Sequence, residues 1–197
     1  MPNTLIPPRS PRRLDRHSAA LLIVDIQEKL LPTIVARRTL VWNTSRLVRA
    51  AGLFNVSVDV TEQYPQRLGG TESDVLSSTE PPRHEKKAFS AAACEGLVAK
   101  WSDAGTRQIV IAGIESHVCV LQSCLDLLSE GYEVFVVVDA IGSRHPLDHD
   151  TAVRRMRDEG ATVLTTESVL FEWCETAAHD QFKALSALVK ETGPEPA

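Results

Sequence analysis

Residues 109–120 read IVIAGIESHVCV, and this stretch decides the fold. The run at 109–112 is apolar with no polar alternation, the pattern of a strand buried on both faces. Gly113 then permits a sharp backbone turn. Ser116 stands where a helix N-cap is expected. Val118, Leu121, Leu125 and Leu128 follow at helical spacing, and Gly131 closes the pattern. A strand feeding straight into a helix is half of a βαβ unit.

The same alternation extends in both directions. Apolar runs lie at Ala19–Val24 (AALLIV), 56–60 (VSVDV), 134–138 (VFVVV) and Thr162–Leu164 (TVL). A sixth strand is expected near 86–89. Helical patterns occupy 34–52, 94–105, 117–131, 151–160, 167–174 and 180–190, four of them ending on glycine. Alternating strands and helices predict a three-layer, Rossmann-like α/β fold. Its central sheet should be mostly parallel, with about six strands and helices on both faces.

The chain has 197 residues, 43% of them apolar and 24% charged. That length suits one domain, which would bury roughly 70% of its unfolded surface. Residues 1–17, with Pro2, Pro7, Pro8 and Pro11, read as a flexible N-terminal arm. Residues 18–190 read as the globular domain and 191–197 as a tail. Twenty-one Lys and Arg against 26 Asp and Glu give a net charge of −5. Nothing in that balance attracts a phosphate backbone, so no nucleic-acid partner is expected. The run Ala19–Val24 is too short for a signal-peptide core or a membrane span. Four cysteines with no C-x-x-C exclude a disulfide scaffold and a zinc module. The thiols are read as reduced and the compartment as cytoplasmic.

In such sheets, ligands bind beyond the carboxyl ends of the strands. Asp25 follows the first run, where a carboxylate needs a partner. It either caps a loop or serves a site. Cys119 falls in the first turn of the helix after the run at 109–112. Free N–H groups there favour a thiolate, the nucleophilic form, although most free cysteines are small core residues. Cys94, Cys124 and Cys174 read as core. The lysines of HEKKAFS (84–90) are either a solvated face or a means of tuning a nearby acid. Residues 61–65 (TEQYP) either line a pocket or form an ordinary turn. Trp42, Trp101 and Trp173 serve an interface or the core. A G-x-G-x-x-G, a P-loop and a G-x-S-x-G elbow are all missing, which weighs against a nucleotide-binding α/β protein.

Taken in order, LLIVDIQ, KKAFSA and GIESHVCV resemble the isochorismatase-like cysteine hydrolase family. TEQYP and GIESHVCVLQ are most similar to its isochorismatase-domain-containing branch. The resemblance covers roughly residues 18–190. It implies a catalytic triad of Asp25, Lys86 and Cys119. Lys86 is preferred to Lys87 because the family's lysine precedes an aromatic residue, here Phe89, by three. It also implies a non-proline cis peptide between Ile114 and Glu115, which would set the N–H groups of Glu115 and Cys119 side by side as an oxyanion hole. Gln27, Thr61, Gln63, Tyr64, Phe89 and Ile114 are the candidate substrate contacts. Glu62 and Tyr64 stand where the nicotinamidase branch carries Asp-x-His, so neither a metal nor another cofactor is expected. Isochorismatases proper lack the cysteine, and Cys119 argues against their vinyl-ether chemistry. The function implied is a cofactor-free hydrolase of a small amide or related C–N bond, working through a thioester. Family members are commonly homo-oligomers. The competing readings are a non-catalytic scaffold of the same fold and the nucleotide-binding protein.

Overall fold

The computed structural model describes residues 9–77 and 79–194. Its strands are β1 (Ala19–Val24), β2 (Ser57–Gln63), β3 (Arg83–Lys86), β4 (Gln108–Ile114), β5 (Glu133–Gly142) and β6 (Thr162–Leu164). They form one sheet in the order β3-β2-β1-β4-β5-β6, and every neighbouring pair is parallel. The helices are α1 (Arg37–Phe54), α2 (Pro65–Leu68), α3 (Ser73–Leu76), α4 (Leu97–Asp103), α5 (Leu121–Ser129), α6 (Pro146–Asp158), α7 (Thr166–Cys174) and α8 (Phe182–Val189). Strand order reverses between β1 and β4, so a crevice is expected above their carboxyl ends.

Strand β1 shows why the sheet is buried on both sides. Leu21 and Ile23 join a core with α1, α7 and α8. Ala20, Leu22 and Val24 join a second core with α4, α5 and α6. Alternate side chains therefore serve opposite faces, and a continuous apolar run is required. Each Leu, Ile or Val buried this way contributes about 1.5–3 kcal/mol, offsetting about 1–2 kcal/mol of backbone ordering. Trp101 and Trp173 are likewise buried in these cores, while the partly buried Trp42 lies under the Arg46 guanidinium.

The structure moves several expected boundaries. Strand β3 ends at Lys86 rather than beginning there, because its sequence RHEK forms a charged edge paired only with β2. Thr61–Gln63 extends β2 and is not a turn. Helix α1 starts at Arg37 and runs past Gly52 to Phe54. Helix α6 starts earlier than expected, with Pro146 in its first turn. Ser116 is not an N-cap; it opens a π-turn, Ser116–Val120, that leads into α5. Part of the expected arm is packed: Leu14 is fully buried in the α1 core, and Arg9 and Arg16 pair with Glu175. Residues 1–8 and 195–197 lie outside the described residues. Among the described residues no helix is long and apolar enough to cross a membrane.

Candidate active site

The carboxyl ends of β1, β2 and β3 bring a charged pair together below the surface. Asp25 leaves β1 with φ 51°, its N–H bonded to the Thr61 carbonyl at 3.1 Å. Its carboxylate accepts from Thr61 Oγ1 at 2.7 Å and from Lys86 Nζ at 2.6 Å. Lys86 Nζ also donates to Gln63 Oε1 at 2.8 Å and to the Phe89 carbonyl at 3.0 Å. Asp25 is fully buried and Lys86 is 6% exposed. Two such charges are tolerated inside a protein only when paired and saturated with hydrogen bonds, as here.

Strand β4 delivers the thiol. Gly113 has φ 134°, and a Cβ there would lie 2.1 Å from the Val24 carbonyl oxygen, so only glycine allows β4 this close to β1. The next peptide, Ile114–Glu115, is cis. The π-turn then places Cys119 beside Asp25 and Lys86, where it is 7% exposed. Its pKa is pushed up to about 12, chiefly by burial and also by the Asp25 carboxylate, with the Lys86 ammonium opposing the rise. Desolvation thus works against the thiolate that the first turn of a helix favours. Near pH 7 Cys119 is a neutral thiol.

The other candidates divide by what they touch. Thr61 and Gln63 hold Asp25 and Lys86. Gln27 is fully buried, and its side-chain N–H groups are spent on the carbonyls of Gln63 and Gly69, so it ties the end of β2 to the segment after α2. Ile114 is buried in the core, whereas Tyr64 and Phe89 are 36% and 50% exposed. Glu62 accepts from the N–H and Oγ1 of Thr71 at 2.8 and 2.6 Å. Among the described residues, the one His/Cys/Asp/Glu cluster with metal-ligand proximity is Asp15, His17 and Glu175, and Arg9 pairs with both of its carboxylates.

Sequence reasoning missed several supports. Cys94, read as core, also feels the charges of Asp25 and Lys86. Ser123 Oγ donates to the Cys119 carbonyl at 2.6 Å and accepts from the Ala91 N–H at 2.7 Å. Glu115 pairs with Arg144 at 3.0 Å, Ser116 with His149 at 3.0 Å, and His117 with Ser143 at 3.0 Å. These partners lie beyond β5, and no local spacing announces them.

The model of the isochorismatase domain matches residues 19–168. The chain belongs to the isochorismatase family. A secreted isochorismatase effector of Phytophthora sojae is 37% identical over 185 residues, covering 91% of this chain and 88% of that protein. The isochorismatase domain-containing protein 2 of Danio rerio is 34% identical, covering 93% and 92%. Among solved structures, the MAR1 ribonuclease of Caenorhabditis elegans superposes with a TM-score of 0.86 at 31% identity, covering 94% of this chain and 96% of its own. YcaC of Escherichia coli, described as an octameric hydrolase of unknown specificity, gives 0.83 at 28% identity, covering 92% and 91%. At the coarse level, this is an isochorismatase-like hydrolase fold.

Proposed function

We propose that the protein is a cofactor-free cysteine hydrolase of a small amide or related C–N bond. One observation carries this reading: a neutral thiol stands beside a buried carboxylate whose other side is held by an ammonium 2.6 Å away. The Asp25 carboxylate, held by Lys86, can take the Cys119 proton as the sulfur attacks. That coupling suits a thiol whose own acidity is suppressed.

In this scheme the Cys119 Sγ–C bond forms as the carbonyl π electrons move to oxygen and the thiol proton moves to Asp25. The N–H groups of Glu115 and Cys119 stabilise the oxyanion, a contribution often worth about 3–4 kcal/mol per donor. The C–N bond then breaks, and Asp25 returns the proton to the leaving nitrogen. A water molecule, losing its proton to Asp25, attacks the thioester. The C–S bond breaks, the acid leaves, and the thiolate recovers its proton from Asp25. Lys86 orients the carboxylate throughout.

A ribonuclease reading taken from the C. elegans relative lacks support in this chain. Its net charge is −5, and the ammonium nearest the thiol is already spent on Asp25. The four described cysteines are all free, which fits the reducing cytoplasm. The octameric YcaC relative supports a homo-oligomer, which light scattering would test.

The deciding experiment screens small amides, with an RNA arm, against wild type and Cys119→Ala. Wild type should turn over at least one amide, and the variant should fold normally and lose turnover. Equal turnover by the variant would falsify the scheme. A non-catalytic scaffold would instead show Cys119 alkylating no faster than Cys94 or Cys124.

A further inference from the structure

A cavity of about 200 Å³ lies between the chain leading into α1, the end of β5 and the first turn of α6. Asp25, Lys86 and Cys119 do not line it. Its walls are chiefly apolar, including Val35, Leu40, Val138 and Ile141. Asp139 also borders it, and its Oδ1 accepts from the Thr166 N–H and Oγ1 at 2.7 and 3.0 Å. Thr39 is polar on the α1 side, and two polar side chains, Ser143 and His149, lie at the α6 side.

Both of these reach the turn that carries Cys119. His149 Nδ1 shares a hydrogen bond with Ser116 Oγ, and Ser143 Oγ shares one with His117 Nδ1. Burial lowers the His149 pKa against the pull of Asp150, so its imidazole is neutral near pH 7. His149 Nε2 makes no hydrogen bond to the described residues and is open to solvent, so it is available to bond an occupant. An apolar hollow with a few convergent polar groups and a shifted histidine is the usual form of a small-molecule site. A dry cavity of about 150 Å³ accepts benzene, so this one suits a single substituted ring. Its apolar walls would penalise a charged ligand.

We infer that this cavity binds an uncharged, mainly apolar molecule of single-ring size with one hydrogen-bonding group directed at His149, and that occupancy alters the reactivity of Cys119 through Ser116 and His117. The binding half is independent of the catalytic scheme above. The coupling half is read from alkylation of the thiol, not from turnover, so either can fail without the other.

The test uses the full chain with benzyl alcohol and cyclohexanol as probes and benzoate as the charged control. Either alcohol should raise Tm saturably, by about 3–5 °C at ten times its Kd, and benzoate should not. At saturation the rate of Cys119 alkylation by iodoacetamide, read by peptide mass spectrometry, should change about fivefold or more. Thr39→Phe fills the cavity from α1 and should abolish both responses; Val138→Phe fills it from β5 should the first variant fail to fold. Absence of a saturable shift with both alcohols, or a full shift retained in the filled variant, overturns the site. An unchanged alkylation rate at saturating alcohol overturns the coupling.

Discussion

The Asp25–Lys86 pair is the most exacting feature at the residue scale, because each charge is stable only in the other's presence. Lys86→Met should leave a bare carboxylate in the interior and cost about 3–5 kcal/mol by urea denaturation. Pairing it with Asp25→Asn should recover most of that stability and none of the activity, which separates the pair's structural cost from its chemical use. Buried thiols set a second expectation. The pKa values of Cys94, Cys119 and Cys124 are raised from 9.0 to about 11, 12 and 12, chiefly by burial. Above about pH 9 the unfolded chain loses thiol protons that the folded chain keeps, so the stability these groups contribute is complete below that pH and drains away as pH climbs towards 11–12. Melting temperature should therefore fall across this alkaline window, and less steeply in Cys124→Ala. A flat profile above pH 9 would contradict the burial argument.

Strands and turns differ in how much of themselves they declare in sequence. Strand β1 was legible to the residue, since burial on both faces forces an unbroken apolar run. Strand β3 lies three residues before the expected span, because an edge strand of RHEK carries no such run. Asp25 and Cys119 are singled out by their places at strand ends, but their roles, like the choice of Lys86, are what the family resemblance implies. The clamps at Ser123, Ser143 and His149 stayed invisible, because each joins segments far apart in sequence through one hydrogen bond. At this scale Gly113 is the element the site can least spare. Gly113→Ala would drive a methyl group into the Val24 carbonyl and should destabilise the fold by about 3 kcal/mol or more, measured by chemical denaturation.

Over the whole molecule, the strand order places β1 and β4 at the centre and β3 at one edge. Two of the three proposed reactive groups therefore follow the best-anchored strands, while the ammonium rides on a four-residue strand with a single neighbour. Edge segments open locally at lower free energy than the core. Native-state hydrogen exchange should show the β3 amides exchanging well before those of β1 and β4; equal protection would remove the asymmetry. Peeling that margin away would strip the carboxylate of its counter-ion while both hydrophobic layers stayed intact. Mild heat or denaturant should then silence the enzyme before it melts, with inactivation reversible on return to gentle conditions.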